Sequence, residues 1–514
     1  MKRKNISIIY FFTTLLILGL TISAYAAAQS DIPEVEITFP YIGNRVAIWL
    51  ISEVHLLFGA FILGTPIFIV VCEYIGMRTK DMRYERLAKE VTKVTLLCYA
   101  FTVLFGGMFA MFLFALYPKL SAYLLIKFFP IAVVVYSILW VIESTLMYIY
   151  WYTWDTIGAK RKGLHLAIGI GVNISGFLTM AAINSVASFM LTPPKPVEGS
   201  TLWQLVNNAT WIPLILHRLL GNICFGGFIA AMIAAYMSIM SKTEEDKAFY
   251  DWQGFVGTLI GMAFLLPIPI MGYIYSLEIY KYGAEIGVYQ MSDRLSKFYA
   301  INGILTGLLF LGANYYIWLS MKRITGAERF KTIIKAGFIV VFISNLIWVI
   351  PRHFIATMIL EPGMGYTSEA EMVAKAELPN HLSFLALMPA KNIAVTLIIL
   401  ITLLNYILYW RALKTGKIVW GKIDAMADYV LIFQAFTVIW LMAFMGPVRE
   451  LNRKFYHVYM HIKDYTPDAF SPTLAYSSVL TTIITWVFFG LLSLAIWLML
   501  HKNISPEKSG PHGD

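Results

Sequence analysis

The chain has 514 residues, of which 59% are hydrophobic and only 14% are charged. Soluble globular domains carry about 25% charged residues, so this composition excludes an ordinary soluble protein and predicts a polytopic membrane protein. The 40 lysines and arginines outnumber the 30 aspartates and glutamates. In a membrane protein such an excess sets the orientation of the loops, and therefore it does not indicate nucleic-acid binding.

The N-terminus, residues 1–26, has the order of features found in a secretory signal peptide. Basic residues precede a short apolar stretch that ends in Ala24, Tyr25 and Ala26, which is typical of a cleavable signal. An uncleaved membrane anchor is the alternative. In both cases residues 31–45 are expected outside the cytoplasm.

Eleven apolar segments follow, each long enough to cross a bilayer, which takes about 20 residues. They are expected at 48–76, 91–116, 122–153, 164–191, 211–241, 252–279, 297–322, 332–360, 385–411, 426–448 and 473–501. The predicted fold class is all-α, a bundle of about eleven transmembrane helices. Residues 27–505 are expected to form one membrane domain, and residues 506–514 a polar tail.

The loops between these segments alternate in charge. Loops rich in lysine and arginine start near Arg78, Lys160, Lys322 and Arg411, and the positive-inside rule predicts that they are cytoplasmic. The intervening loops, such as "TPPKPVEGS", are then expected on the outer side. This orientation agrees with that of the signal segment.

The three cysteines, Cys72, Cys98 and Cys224, all lie in apolar segments. They are expected to pack in the core as small apolar side chains. The chain has no C-x-x-C-H motif, which excludes a covalently attached c-type haem.

Histidine placement is the most informative feature of the sequence. Three histidines map to cytoplasmic helix ends or the tail, and six fall on the outer side: His55, His217, His353, His381, His457 and His461. Histidine within a span usually faces the bundle interior, and neutral imidazole is a common axial ligand of haem iron. A haem-binding outer half is the functional hypothesis, and hydrogen-bonded interfacial histidines are the structural alternative.

His217 lies at the start of the apolar run "LILHRLLGNICFGGF". Gly221 and Cys224 follow on the same helical face, which would leave a smooth groove for a porphyrin. Arg218 could pair with a haem propionate. Small residues are also common where membrane helices pack together, so both interpretations stay open.

Glu143 is a carboxyl group inside the apolar segment "LWVIESTLMYIYW". An acid within a span indicates a function such as a proton relay, and the alternative is a residue that reaches water at the cytoplasmic end. His457 and His461 would share a face if their stretch were helical, and they could then bind metal or haem. A solvated loop is the more ordinary interpretation of that stretch.

In this order, the segments resemble subunit I of cytochrome bd quinol oxidase. "HLLFGAFILGTPIFIVVCE" is similar to the family's first helix, with His55 and, eighteen residues on, Glu73. "IESTLMYIYWYTWD" and "GIGVNISGFLTMAAINSVASFMLTPP" are similar to its third and fourth helices. His217 falls where the family has its low-spin haem histidine. The stretch with Glu450 and Arg453 resembles the Glu-x-Gly-Arg-Gln-Pro-Trp signature.

The resemblance implies roles for individual residues. His55 would ligate a haem of the family's oxygen-site pair, and His217 would ligate the low-spin haem. Glu143 and Ser144 would lie on a proton path from the cytoplasm. The implied cofactor is haem b, with haem d or another haem as the alternative at the His55 site. A second membrane subunit, and quinol or an extracytoplasmic cytochrome c, are the implied partners in a bacterial or archaeal cytoplasmic membrane.

The sequence departs from the family at several positions. Val135 and Ala443 stand where the family has glutamates at its haem site. In the stretch "MPAKNIAV", Lys391 takes the place of a family arginine, and Ile393, two residues on, takes the place of the low-spin haem's methionine ligand. These losses bear on oxygen reduction, because a buried carboxylate tunes a haem and carries protons.

Two extra spans, within residues 297–360, stand in place of the family's outer quinol-binding loop. A low-spin haem without its methionine needs another ligand. His353, in the second extra span near the outer face, is the candidate, and His381 is a weaker one. Arg453 and Lys391 are expected near the haems.

The function expected from these observations is that of a b-type haem subunit of a respiratory electron-transfer complex. It would pass electrons between haems near the outer face and quinol or an extracytoplasmic cytochrome c. One alternative is an active terminal oxidase that reduces oxygen to water at a modified site. A second alternative is a haem-free transporter or structural subunit on the same scaffold.

Overall fold

The computed structural model describes residues 38–284, 286, 293–349, 377, 388–452, 456–463 and 471–501. Within these ranges eleven helices are long and apolar enough to cross a membrane, which confirms the predicted all-α class. The predicted N-terminal segment 1–26 and the tail 506–514 lie outside the described residues, as do His353, His381 and Arg453.

The described residues of the first half are mostly helical. Its helices are α1 Gly43–Thr79, α2 Met82–Leu116, α3 Pro118–Ser121, a π-helical segment Ala122–Phe128, α4 Pro130–Tyr152, α5 Ile157–Lys160, α6 Lys162–Leu191, α7 Leu202–Val206, α8 Trp211–Met240, α9 Glu244–Leu265 and α10 Ile268–Tyr282.

Among the described residues, the second half adds five helices and two small antiparallel sheets, β1 with β2 and β3 with β4. The elements are α11 Asp293–Ser320, a 3-10 turn Met321–Arg323, β1 Ile324–Thr325, α12 Glu328–Val349, α13 Met388–Thr415, β2 Lys417–Ile418, α14 Met426–Asn452, β3 Tyr456–Val458, β4 Ile462–Lys463 and α15 Ser471–Leu500.

The two ends of the bundle differ in charge. We call the end at which α1 connects to α2 the basic end, because Arg78, Lys160, Lys322 and Arg411 lie near it. We call the other end, at which α1 and α8 begin, the opposite end, and the half of the bundle next to it the opposite half.

Two of the predicted spans are interrupted at a proline. Pro130 is the first residue of α4, and Pro267 lies directly before α10. Proline has no backbone N–H, so it fits the first turn of a helix but does not continue the hydrogen-bond ladder of a preceding one. The sequence predicted unbroken spans over 122–153 and 252–279, and each is divided at its proline.

Helix α8 lies at the centre and touches its neighbours backbone to backbone. A Cβ added at Gly64 of α1 would overlap the main-chain carbonyl of Asn222, and one at Gly227 would lie 2.5 Å from the backbone nitrogen of Gly261 in α9. Only residues without a side chain allow helices to approach so closely. The small residues in the body of α8 therefore serve helix packing. The three cysteines are free and buried, as predicted.

Buried amides join the helices of the second half. Asn314 of α11 donates to the Thr402 hydroxyl of α13 at 2.9 Å, and Asn405 donates to the Asn314 side-chain oxygen at 2.8 Å. Asn405 also packs on Gly337 of α12. Since a buried amide is costly without a partner, these bonds hold α11, α12 and α13 together.

A buried ion pair ties this second group of helices to the first. Arg323 Nη1 lies 2.8 Å from Asp251 Oδ1 of α9, and the two side chains are 0% and 3% exposed. Arg323 also donates to the Tyr316 hydroxyl at 3.2 Å, and Asp251 Oδ2 accepts the Gly421 N–H at 2.9 Å. The pair is therefore well hydrogen-bonded, as a charge in such a place must be.

Replacing Arg323 by methionine is expected to lower the free energy of unfolding by about 3–5 kcal/mol, because Asp251 would be left charged and unpaired in the interior. The neighbouring Lys322→Met is the matched control, since Lys322 pairs with Asp424 at 3.5 Å on an exposed surface. Thermal unfolding in detergent measures both. Equal melting temperatures for the two variants would contradict a structural role for the buried pair.

Candidate functional site

His55 lies in the opposite half of α1 and faces α2. Its Nδ1 lies 3.1 Å from the Thr102 carbonyl oxygen, and a Cβ added at Gly106 would come within 2.8 Å of its Cε1. Because a carbonyl only accepts, Nδ1 carries the proton and Nε2 keeps its lone pair. A histidine that ligates a metal is held in the same way by a bond to its other nitrogen.

Glycines leave space beside His55. A Cβ added at Gly59, one turn further along α1, would meet no atom within 4 Å. Gly106, in contrast, is covered by the imidazole itself. A flat ligand that approached Nε2 would need open positions of this kind.

His217 lies in the opposite half of α8 and packs on α10. Its ring stacks on Tyr275 at 6.4 Å between centroids, and a Cβ added at Gly272 would lie 3.4 Å from its Cε1. Nδ1 is buried and has no hydrogen-bond partner among the described residues. A buried polar atom left without a partner costs about 1–3 kcal/mol, so this nitrogen is suited to a ligand that would satisfy it.

Gly221 is the first small residue of the groove expected beside His217. A Cβ at Gly221 would meet no atom within 4 Å, so that position is open. Cys224, one turn further, is buried in the main core. Arg218 turns to another helix, where its Nη1 donates to Asn184 Oδ1 of α6 at 2.5 Å.

The positions at which the sequence departs from the family face in different directions. Ile393 of α13 is 57% exposed and Val135 of α4 is 42% exposed, so neither position directs a side chain into the interior. Ala443 of α14 and Lys391 of α13 are buried. The Ile393 side chain therefore does not pack inside the described part of the bundle.

A buried carboxylate that the sequence analysis did not single out lies close to Ala443. Glu53 of α1 is 2% exposed, and its carboxylate rests on Gly446 of α14, where an added Cβ would overlap it. Residues 443 and 446 are neighbours on one helical face. Helix α1 therefore brings a carboxylate to within about one helical turn of the position where the family has a glutamate. The signal in the sequence was an acid within a span, two residues before His55.

Gly446→Ala is expected to destabilise the protein by about 1–3 kcal/mol, because the new methyl group and the Glu53 carboxylate would compete for one space. Gly490→Ala in α15 is the matched control, since a Cβ there meets no atom within 4 Å and alanine is the better helix former. Thermal unfolding in detergent should separate them. A neutral Gly446→Ala would contradict the tight contact with Glu53.

Glu143 and Ser144 point to different helices. Glu143 is buried and faces α6, where a Cβ added at Gly176 would lie 3.0 Å from its Oε1. The Ser144 hydroxyl lies 2.8 Å from the Tyr99 hydroxyl of α2. Glu143 is only 2% exposed, so it does not reach water at a helix end.

The stretch with His457 and His461 forms a small hairpin, β3 and β4, so the helical interpretation of this stretch is wrong. His457 packs edge-on against Tyr117 at 5.3 Å, and His461 is hydrogen-bonded to the Tyr123 hydroxyl. Within the described residues no group of three or more histidine, cysteine, aspartate or glutamate side chains is arranged to hold a metal ion.

A second buried cluster, which the sequence analysis also did not assemble, lies near the basic end. His165 of α6 is fully buried, and its Nδ1 lies 2.6 Å from Glu73 Oε1 of α1. Tyr150 of α4 donates its hydroxyl to Glu73 Oε2 at 2.5 Å. The sequence showed these residues only as separate helix-end positions, because their meeting depends on how three helices pack.

Comparison with known proteins gives three findings. Residues 44–284 match the model of the cytochrome bd terminal oxidase subunit I family. A putative cytochrome bd menaquinol oxidase subunit I of Bacillus subtilis (strain 168) is 26% identical over 240 residues, which are 45% of this chain and 53% of that protein. The chain thus spans about half the length of this relative. The bd oxidase structure from Geobacillus thermodenitrificans is 14% identical with a TM-score of 0.49, covering 90% of this chain and 98% of that one.

His55, Glu143 and His217 all lie within the matched residues 44–284. Glu53 and the cluster of Glu73, Tyr150 and His165 lie within them too. The changed positions Lys391, Ile393 and Ala443 lie beyond the match.

Proposed function

Because residues 44–284 match the model of the cytochrome bd terminal oxidase subunit I family, we propose that this protein is a b-type haem subunit of a membrane-bound respiratory electron-transfer complex. One observation carries the proposal. The bond from His55 Nδ1 to the Thr102 carbonyl leaves a lone pair on Nε2, and His217 Nδ1 is buried without a hydrogen-bond partner among the described residues. Haem iron takes such a nitrogen as an axial ligand.

The residues near these imidazoles fit a haem in charge and shape. Open glycine positions adjoin both rings, and Arg218 lies next to His217 as a cation for a propionate group. Lys391, buried in α13, is the second such cation. We also propose His353 as a further iron ligand and Arg453 as a cofactor-binding residue. Both assignments rest on the positions of these residues in the sequence alone. Bound haem would supply one-electron redox chemistry, with haem d or another haem as the alternative at His55.

The proposal includes the partners and the membrane. A second membrane subunit would complete the complex, and quinol from the bilayer or an extracytoplasmic cytochrome c would exchange electrons with it. The membrane would be the cytoplasmic membrane of a bacterium or archaeon. The basic end would face the cytoplasm, following the distribution of lysine and arginine, which brings His55 and His217 close to the outer face.

An active terminal oxidase is the second candidate function, and Glu53 favours it. A carboxylate close to Ala443 would retain an acid near the haems although the family's own position has lost it. Oxygen consumption with a supplied electron donor tests this candidate. The oxidase interpretation requires that His55→Ala and Glu53→Gln each abolish the consumption.

His55→Ala and His217→Ala are each expected to remove about one haem per chain, because each deletes an axial ligand. The pyridine haemochrome assay on purified protein measures this. His501→Ala is the matched control, since His501 at the basic end of α15 is hydrogen-bonded to its own helix at the Trp497 carbonyl. Full haem content in both ligand variants would contradict the assignment, and a wild-type protein without Soret absorbance would end the haem proposal.

Gly106→Ala is expected to shift the optical spectrum of the haem at His55, and to lower its occupancy, because the new methyl group would push the imidazole away from the Thr102 carbonyl. Gly107→Ala, one residue on, adds a methyl group where no atom lies within 4 Å. It is expected to leave the spectrum unchanged. Identical spectra for the two variants would show that the imidazole at 55 does not hold a haem.

A further inference from the structure

The cluster of Glu73, Tyr150 and His165 holds a proton whose place follows from the hydrogen bonds. His165 Nε2 lies 2.9 Å from the main-chain carbonyl of Tyr150. A carbonyl only accepts, so Nε2 is the protonated nitrogen. Nδ1 faces Glu73 Oε1 at 2.6 Å, and a bond at this distance needs one proton between the two atoms. Imidazole and carboxyl therefore share a single proton, either as an ion pair or as a neutral pair.

Two aromatic rings pack against the imidazole of the cluster. Tyr150 stacks on His165 at 4.3 Å between centroids, and Trp154 packs edge-on against the same imidazole at 5.0 Å. Beyond these rings, at the basic end, lie two ion pairs that join neighbouring helices and loops, Lys162 with Glu85 and Lys89 with Asp155.

Helix α6 connects this cluster with Glu143. It touches Tyr150 at Gly169, where an added Cβ would lie 2.9 Å from the ring, and it touches Glu143 at Gly176. Tyr150 and Glu143 are seven residues apart on α4, hence on one face and about 10 Å apart along the axis. Asn173 lies between the two contact points on α6. Its amide nitrogen donates to the Pro66 carbonyl at 3.2 Å, and its buried oxygen has no partner among the described residues.

We propose that Glu73, His165 and Tyr150 form a proton relay site between the basic end and Glu143. Glu73 and His165 would release their shared proton toward Glu143, past the unpartnered oxygen of Asn173 and a water bound to it, and would take up another from the basic end. Only protons move, and no other bond is made or broken. The proposal rests on the proposed haem function, because reduction of a haem would supply the charge that draws the proton inward.

The alternative is a static clamp that only holds α1, α4 and α6 together. The two roles differ in their response to added weak acids and bases. A relay that has lost its proton-carrying group is restored in part by a small molecule that carries protons, whereas a clamp is not. Chemical rescue therefore separates transfer from packing.

The test uses the purified full-length protein with its native partner subunits. Haem is reduced rapidly by a photoreductant, and proton uptake is followed with a pH-indicator dye in the same sample. Glu73→Gln and His165→Gln are expected to slow the uptake at least tenfold while haem content and the extent of reduction stay at the wild-type level. Millimolar formate for Glu73→Gln, and imidazole for His165→Gln, should restore part of the rate.

Glu90→Gln is the matched control, because Glu90 is also a buried carboxylate near the basic end, paired with Arg86 at 3.0 Å. Its uptake rate should equal that of the wild type. Uptake that is unchanged in the Glu73 and His165 variants, with haem reduced normally, would overturn the relay alone. Slow uptake without rescue would overturn it in favour of the clamp. Absence of reducible haem in the wild type would overturn the proposed function and the relay together.

Should Glu73→Gln fail to fold, His165→Gln with and without imidazole decides the question by the same criteria. Tyr150→Phe offers a further variant that removes only one hydroxyl group. It is expected to slow uptake less than the other two, because the shared proton between Glu73 and His165 remains in place. Proton uptake that is slower in Tyr150→Phe than in His165→Gln would contradict the assignment of the shared proton to Glu73 and His165.

Discussion

Backbone contact between α8 and its neighbours is the constraint on which the rest of the structure depends. Gly64 of α1 lies on the main chain of Asn222, and Gly227 lies on Gly261 of α9. The contact of Gly64 with Asn222 fixes the height of α1 relative to α8, which runs in the same direction. His55 is nine residues from that contact and His217 is five, which puts them about 13 Å and 8 Å away toward the same end. The two imidazoles are thus held in one half of the bundle by packing elsewhere.

The second constraint is that a buried polar group in an apolar bundle needs a partner. Near the basic end the structure provides partners, Asp251 for Arg323 and Glu73 for His165. In the other half, His217 leaves a buried nitrogen without one among the described residues. The unpartnered imidazole nitrogen of His217 is the physical reason to expect a ligand there.

Hydropathy was sufficient to predict the spans, because about 20 apolar residues can cross a bilayer only as a helix. It did not predict the divisions at Pro130 and Pro267. Because histidine is rare in such segments, the sequence also singled out His55 and His217 as candidate haem ligands. It did not find that Glu53 meets Gly446, or that Glu73 meets His165, because these pairs are 393 and 92 residues apart in sequence and meet only when the helices pack.

The central claim is that imidazoles in the opposite half of this bundle hold haem iron. An experimental density map of the purified complex tests it most directly. The account predicts flat macrocycle density in contact with Nε2 of His55 and with the ring of His217, over the open positions at Gly59 and Gly221. Well-defined imidazoles with only side chains or lipid beside them would contradict it.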